Sequence, residues 1–119
     1  MTYIDFMSVL HKSTKRDYLE RVNDPDFPKA RAAKLAKQWG YDYWDGDRRI
    51  NYGGYKYIEG RWEKVAREML DHYRLPENPK ILDVGCGKGF LLFDFLKAMP
   101  ESEIFGIDIS KYAIANSKE

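Results

Sequence analysis

The spacing of apolar residues changes character near Pro76 and Pro79. Before these prolines, apolar positions recur every three or four residues, which is typical of helices, and turn-forming residues separate them. After them, a short apolar run, a glycine-rich turn and a dense apolar segment follow one another. The pattern therefore predicts an α/β fold in which helices and loops precede the first strand.

Three stretches before Pro76 have helical spacing. Residues 3–22 predict two short helices or one broken helix, interrupted by the polar segment 11–17. Pro28 suits the first position of a second helix, whose apolar stripe ends at Trp39 and for which Gly40 predicts the stop. A third stripe begins after Gly60 and runs over residues 62–73.

An aromatic segment, residues 41–57, lies between the last two helices and holds five tyrosines and Trp44. The dipeptides Asp45-Gly46 and Gly53-Gly54 within it are strong turn signals. Tyrosine packs its ring face and leaves its hydroxyl in water, so these rings can cover a small core. They can also form a lid over a ligand, and the sequence leaves both interpretations open.

Residues 80–84 predict a strand that ends in a turn with glycines at Gly85, Gly87 and Gly89, and helical density follows from Phe90. Glycines at alternate positions allow a sharp turn and close approach of a ligand. The next helix presents the N–H groups of its first turn at the same place. This arrangement favours a nucleotide-like ligand.

A second strand over residues 104–107 ends in Asp108, whose carboxylate can accept two hydrogen bonds from a ribose diol. Ser110 then predicts the cap of a helix over residues 111–118. A strand–helix–strand order makes the strands parallel, and ligands of such sheets bind at the carboxyl ends of the strands. Asp83, the glycine turn and Asp108 all fall at that edge.

Composition narrows the candidate functions. The 119 residues carry 20 Lys+Arg against 19 Asp+Glu, and the net charge of +1 disfavours a nucleic-acid or membrane-surface partner. Cys86 is the single cysteine, and no Cys/His cluster has the spacing of a metal site. No apolar run approaches the roughly 18 residues that cross a bilayer. We therefore expect a cytoplasmic protein without a metal centre.

The segments 81–89 and 106–110 resemble the two cofactor motifs of class I S-adenosylmethionine-dependent methyltransferases, in the same order and at a matching separation. The nicotinamide fingerprint is the rival interpretation, but it requires glycine where Phe90 stands and does not call for Asp83. The resemblance implies the first β-α-β-α of a Rossmann-like sheet, a truncated doubly wound fold, with S-adenosyl-L-methionine as cofactor.

The resemblance also implies individual roles. Asp83 would hold the loop and the ammonium end of the cofactor, Asp108 the ribose hydroxyls, and Ile109 the adenine. The loop residues that would surround the methionine moiety are Gly85, Cys86, Gly87 and Gly89. No histidine lies near Cys86 in the sequence, which favours a packing role over a nucleophile, and we expect Lys88 to point to solvent.

A second, weaker resemblance concerns residues 52–62, which look like a segment upstream of the cofactor domain in some bacterial methyltransferases. It makes Tyr55, Tyr57 and Arg61 candidates to close over the methionine end, with Arg61 pairing the carboxylate. The alternative is that Arg61 is a surface residue in the first turn of its helix.

These inferences divide the chain into an N-terminal region, residues 1–59, and the start of a cofactor-binding domain, residues 60–119. We expect the N-terminal part of a longer methyltransferase, inactive alone, with a small-molecule acceptor and no catalytic base that the sequence identifies. The alternative is a non-catalytic partner or subunit. Because two parallel strands leave both edges open, self-association through them is also expected.

Overall fold

The computed structural model describes residues 2–10, 19 and 22–119. Its helices and strands are α1 Lys29–Ala36, α2 Tyr41–Trp44, α3 Glu63–Tyr73, β1 Lys80–Val84, α4 Phe90–Ala98, β2 Glu103–Ile107 and α5 Lys111–Ala115. The two strands pair in parallel, with Lys80 opposite Glu103 and Val84 opposite Ile107. This order confirms the predicted α/β class, in which helices precede a parallel β-α-β-α unit.

The core lies between the sheet and two helices. Helix α4 packs against β2, and α3 packs against α4. The buried apolar side chains of these two helices are Val65, Ala66, Phe90, Leu92 and Phe95. They come from the stripes that the sequence spacing predicted, so the amphipathic pattern is explained by burial against one another and against the sheet.

The other face of the sheet is apolar and exposed. Alternate residues of a strand point to opposite faces, and the side chains of Leu82, Val84, Phe105 and Ile107 are each more than half exposed. Within the described part of the chain no helix covers them. The predicted self-association through the strand edges stays a prediction.

Two helix ends differ from the predicted ones. Helix α1 ends at Ala36, before the expected stop at Gly40, because Trp39 has a positive φ of 53° and turns the chain back. Gly40 instead precedes α2, which occupies part of the segment expected to be loop. Helix α5 ends at Ala115, short of residue 118, because the backbone N–H of Lys118 donates to the carbonyl of the glycine loop at residue 88.

The predicted helices over residues 3–22 are wrong for residues 3–10, where residues 6–10 form a turn, because Asp5 accepts from Met7 and Ser8 and the Met7 carbonyl accepts from Leu10. Positions 11–18, 20 and 21 of the same prediction lie outside the described residues. Among the described helices, none has the length and apolar character needed to cross a membrane.

Candidate cofactor site

The glycine turn forms at the carboxyl end of β1. Gly85, Gly87 and Gly89 have φ values of 87°, 56° and 69°, a region that costs other residues about 1–2 kcal/mol. The N–H groups of Gly85 and Cys86 both donate to the carbonyl of Ile107, at 2.7 and 3.2 Å. The turn is thus tied to the end of the neighbouring strand.

Asp108 joins the two loops at this edge. Its Oδ2 accepts from the N–H of Gly87 at 2.8 Å, and its Oδ1 accepts from the N–H of Ser110 at 2.7 Å. Each carboxylate oxygen has a second lone pair, so both oxygens keep capacity for a ligand hydroxyl. The residue expected to bind a ribose therefore lies directly against the glycine loop.

Asp83 shares this edge with Asp108. Burial, followed by the negative charge of Asp108, raises the pKa of Asp83 above its ordinary value. Two acidic side chains so placed make the edge electronegative. The site therefore suits a ligand that carries positive charge.

Four N–H groups of the glycine loop are already engaged within the chain. The N–H groups of Gly85 and Cys86 bond to Ile107, that of Gly87 to Asp108, and that of Gly89 to the carbonyl of Cys86 at 2.9 Å. A phosphate-binding loop directs such N–H groups at its anion instead. The arrangement consequently favours a ligand without a phosphate at this loop.

Trp44 of α2 is a part of the site that the sequence did not identify. Its indole covers Gly87 so closely that a Cβ there would lie 2.7 Å from Cη2. Its Nε1 donates to Ser110 Oγ at 2.8 Å. One buried ring thus contacts both the glycine loop and the loop after β2, and an aromatic residue beside the Asp45-Gly46 turn was its only signal.

An aromatic layer continues from Trp44 to the start of α4. Trp44 stacks on Tyr52 with ring centroids 5.4 Å apart, Tyr52 contacts Tyr55 at 4.9 Å, and Tyr55 stacks on Phe90 at 4.9 Å. The interpretation that these rings cover a core is confirmed for Trp44, which is 7% exposed. The lid interpretation stays a prediction.

Tyr43 lies at the same edge. Burial and the neighbouring Tyr52 and Asp108 raise the pKa of its hydroxyl, while a hydrogen bond with Asn51 acts in the opposite direction. The carboxylate expected to bind ribose thus influences the hydroxyl of Tyr43, a residue that no sequence motif indicated.

The expectation that Lys88 points to solvent is wrong. Lys88 is only 7% exposed. Its Nζ donates to Asp45 Oδ1 and Oδ2 at 2.7 and 2.6 Å, and to the carbonyl of Tyr55 at 3.0 Å. Although burial alone would raise the pKa of Asp45, hydrogen bonds from Lys88 and Tyr112 hold it below its ordinary value. The ion pair explains why a charged side chain is buried here.

Tyr55 and Tyr57 both contact the ring of Phe90, with centroids 4.9 and 5.7 Å apart. Burial and Tyr52 raise the pKa of Tyr55 to about 12, whereas the charge of Arg61 lowers it, which places Arg61 near that ring. Arg61 itself is exposed. The hydroxyl of Tyr57 instead donates to Asp94 of α4, so its role over the cofactor stays a prediction.

Cys86 and Ile109 complete the predicted set. Burial and the charges of Asp83 and Asp108 raise the pKa of the Cys86 thiol, which agrees with packing rather than nucleophilic chemistry. A Cβ on Gly106 would lie 2.7 Å from the Cys86 sulfur. Ile109 is 76% exposed beside Asp108. In the described ranges no group of three His, Cys, Asp or Glu residues could hold a metal ion.

Comparison with known proteins identifies this part of the chain. A family model described as a methyltransferase domain matches residues 75–119, which include both loops and both strands. This matched segment, residues 75–119, is therefore similar to the methyltransferase domain. The parallel β-α-β-α order of this segment is that of a Rossmann-like fold, as the resemblance implied.

Individual relatives are similar to part of this chain but differ in their named substrates. A malonyl-[acyl-carrier protein] O-methyltransferase of Magnetococcus marinus is 32% identical over 63 residues, 53% of this chain and 23% of that protein. A ribosomal RNA large subunit methyltransferase G of Aeromonas salmonicida is 40% identical over 53 residues, 44% of this chain and 14% of that protein. The chain thus spans less than a quarter of either relative's length.

Proposed function

We propose that this chain binds S-adenosyl-L-methionine at the carboxyl edge of β1 and β2, as the cofactor-binding portion of a methyltransferase. The observation that carries the proposal is the pair of bonds from the N–H groups of Gly87 and Ser110 to Asp108. They hold the acid of the second motif against the glycine loop of the first, where a ribose hydroxyl could reach it.

Charge supports this ligand over a dinucleotide. S-adenosyl-L-methionine carries a sulfonium and an ammonium group, and Asp83 and Asp108 supply two carboxylates at the same edge. A nicotinamide dinucleotide carries a pyrophosphate, yet four of the loop N–H groups are engaged and the Lys88 ammonium is paired with Asp45. In this proposal Gly85, Gly87 and Gly89 lie along the methionine moiety and Ile109 along the adenine.

The bound cofactor would supply an electrophilic methyl group for in-line transfer to an oxygen, nitrogen or carbon nucleophile. Asp83 and Asp108 would hold the cofactor at the strand edge, and the electron pair of its carbon–sulfur bond would stay on sulfur as the methyl group is transferred. An acceptor hydroxyl would also need a base to take its proton. We assign no such base, and the role of the described residues is to bind and orient the cofactor.

The acceptor that we propose is a small molecule in a reducing, cytoplasmic compartment. The net charge of +1 supports this choice over nucleic acid, and the free thiol of Cys86 agrees with a reducing environment. Methyl transfer to labelled RNA, with none to a metabolite extract, would refute the proposed acceptor class.

The test is titration calorimetry with S-adenosylhomocysteine, using Asp108→Asn and, as the matched control, Glu103→Gln at the opposite end of β2. The wild type and the control should bind with roughly micromolar affinity. Asp108→Asn should bind at least about tenfold more weakly, because hydrogen bonds to a charged group contribute about 1.5–3 kcal/mol. Equal binding by both variants would contradict the site, and tighter binding of a nicotinamide dinucleotide would contradict the ligand.

The exposed sheet face favours a second candidate function, that of a non-catalytic subunit covered by another polypeptide. Its apolar residues are Leu82, Val84, Phe105 and Ile107. Exposed apolar patches of this kind commonly mark interaction surfaces. Light scattering after size exclusion separates the cases, since a monomer that melts cooperatively would argue against the need for a partner.

A further inference from the structure

Lys88 is the only long side chain within the glycine loop, and each hydrogen of its ammonium group has an acceptor available. Two bonds run to the carboxylate of Asp45 and one to the carbonyl of Tyr55. Its side chain is 8% exposed and that of Asp45 is 21% exposed. The loop is therefore attached through a charged group to a segment that lies more than thirty residues earlier in the chain.

Residues in and after α5 also bond to Asp45 and Lys88. Tyr112 donates its hydroxyl to Asp45 Oδ2 at 2.7 Å, and the N–H of Lys118 donates to the carbonyl of Lys88 at 2.9 Å. Lys88 thus connects three parts of the protein, namely the aromatic segment 41–57, the glycine loop and the region of α5.

The flanking glycines give this attachment its importance. Gly87 and Gly89 have positive φ values of 56° and 69°, so the backbone on both sides of Lys88 has the conformational freedom of glycine. A loop of this composition is held in one conformation by its contacts rather than by its own preferences. The ammonium anchor at its centre supplies the strongest of those contacts.

We propose that Lys88 is a positioning residue of the cofactor site: by binding Asp45 and the Tyr55 carbonyl, it holds the glycine loop and the aromatic segment in the arrangement that accepts the cofactor. The inference rests on the proposed function for its ligand. Lys88 does not itself touch the cofactor in this proposal, and it acts through the backbone of Gly87 and Gly89.

The first experiment measures hydrogen–deuterium exchange without any ligand. It compares Lys88→Met with Lys80→Met. The second variant removes an exposed ion pair between Lys80, at the start of β1, and Glu103. The N–H groups of Gly87 and Tyr55, bonded to Asp108 and to the Trp44 carbonyl, report on the loop and on the aromatic segment. They should exchange at least about tenfold faster in Lys88→Met only. Unchanged exchange would overturn the inference.

The second experiment measures S-adenosylhomocysteine affinity of the folded protein in a double-mutant cycle of Lys88→Met and Asp45→Asn. Each single variant should bind about tenfold more weakly than the wild type. The double variant should also lose about tenfold rather than a hundredfold, because the two substitutions remove the same interaction. If the pair only stabilises the protein, its removal will lower the free energy of unfolding but leave the affinity unchanged. That result would contradict a positioning role. Independent, multiplicative losses would contradict it equally.

The two experiments separate the inference from the proposed function. If the wild type shows no S-adenosylhomocysteine binding, the proposed function of this chain fails, whereas the exchange measurement still decides whether Lys88 holds the loop. If the wild type binds and Lys88→Met binds equally well, the positioning role fails and the proposed function stands.

Discussion

Replacing Gly87 by alanine tests the contact between the glycine loop and Trp44. The added Cβ would meet the indole at 2.7, 3.2 and 3.6 Å from Cη2, Cζ3 and Cζ2. The ring has little freedom to move away, since its Nε1 bonds to the buried Ser110 hydroxyl and its face stacks on Tyr52. The substitution therefore forces either the loop or the ring out of place.

The expected loss has two parts. A φ of 56° costs alanine about 1–2 kcal/mol relative to glycine. Overpacking against a rigid neighbour adds about 1–3 kcal/mol. The free energy of unfolding should consequently fall by about 2–5 kcal/mol, a large share of the roughly 5–15 kcal/mol typical of a folded domain.

Gly85→Ala is the matched control for this substitution. Gly85 also has a positive φ, 87°, but a Cβ there would have nothing within 4 Å. Only the conformational cost of about 1–2 kcal/mol applies to it. Urea unfolding followed by circular dichroism gives both free energies on one scale, and their difference isolates the contact with Trp44.

Equal losses for the two glycine variants, within about 0.5 kcal/mol, would refute the packing argument. A second comparison places both substitutions in a Trp44→Leu background. There the extra cost of Gly87→Ala should shrink towards that of Gly85→Ala, because the rigid ring is gone. Persistence of the full difference would attribute the loss to the loop alone.

Three further predictions concern single groups of the site and its support. Tyr57→Phe should lower the free energy of unfolding by about 1–3 kcal/mol in urea titrations, because it removes the hydroxyl bonded to the fully buried Asp94. Affinity for S-adenosylhomocysteine should fall as pH drops from neutrality through the raised pKa of Asp83, because protonation removes a charge that attracts the ligand's ammonium group. Calorimetry at several pH values should show a weaker pH dependence of affinity for Asp83→Asn. Iodoacetamide should alkylate Cys86 more slowly than a free thiol at neutral pH, because its raised pKa leaves less thiolate; mass spectrometry measures the rate.

The local part of the site could be predicted from the sequence because its causes are local. Glycine at alternate positions after an apolar run determines a turn wherever it occurs. Ser110 caps α5 by accepting from the N–H of Ala113, as its type and position predicted. The parallel pairing followed from the order of the elements, and it brought Asp108 to the loop without further assumptions.

The partners of Trp44 and Lys88 could not be predicted in the same way. Trp44 bonds to a residue 66 positions away and Lys88 to one 43 positions away. Neither pairing produces a periodic pattern in the sequence from which it could be predicted. A lysine among glycines is also more often exposed to solvent than buried. The early end of α1 has a similar origin, because the carbonyl of Trp39 accepts from Ser110 across the fold.

These distant contacts share one feature. Three polar or charged residues that follow position 80 and are buried, Lys88, Asp94 and Ser110, have bonds to residues before position 60. A buried polar group that loses its partner costs about 1–3 kcal/mol, so three such losses approach the whole stability of a small domain. We therefore expect residues 44–57 to belong to the same folding unit as the sheet. If the chain binds the proposed cofactor, we expect the aromatic segment to contribute to binding through the partners it gives these buried groups, even where none of its side chains touches the ligand.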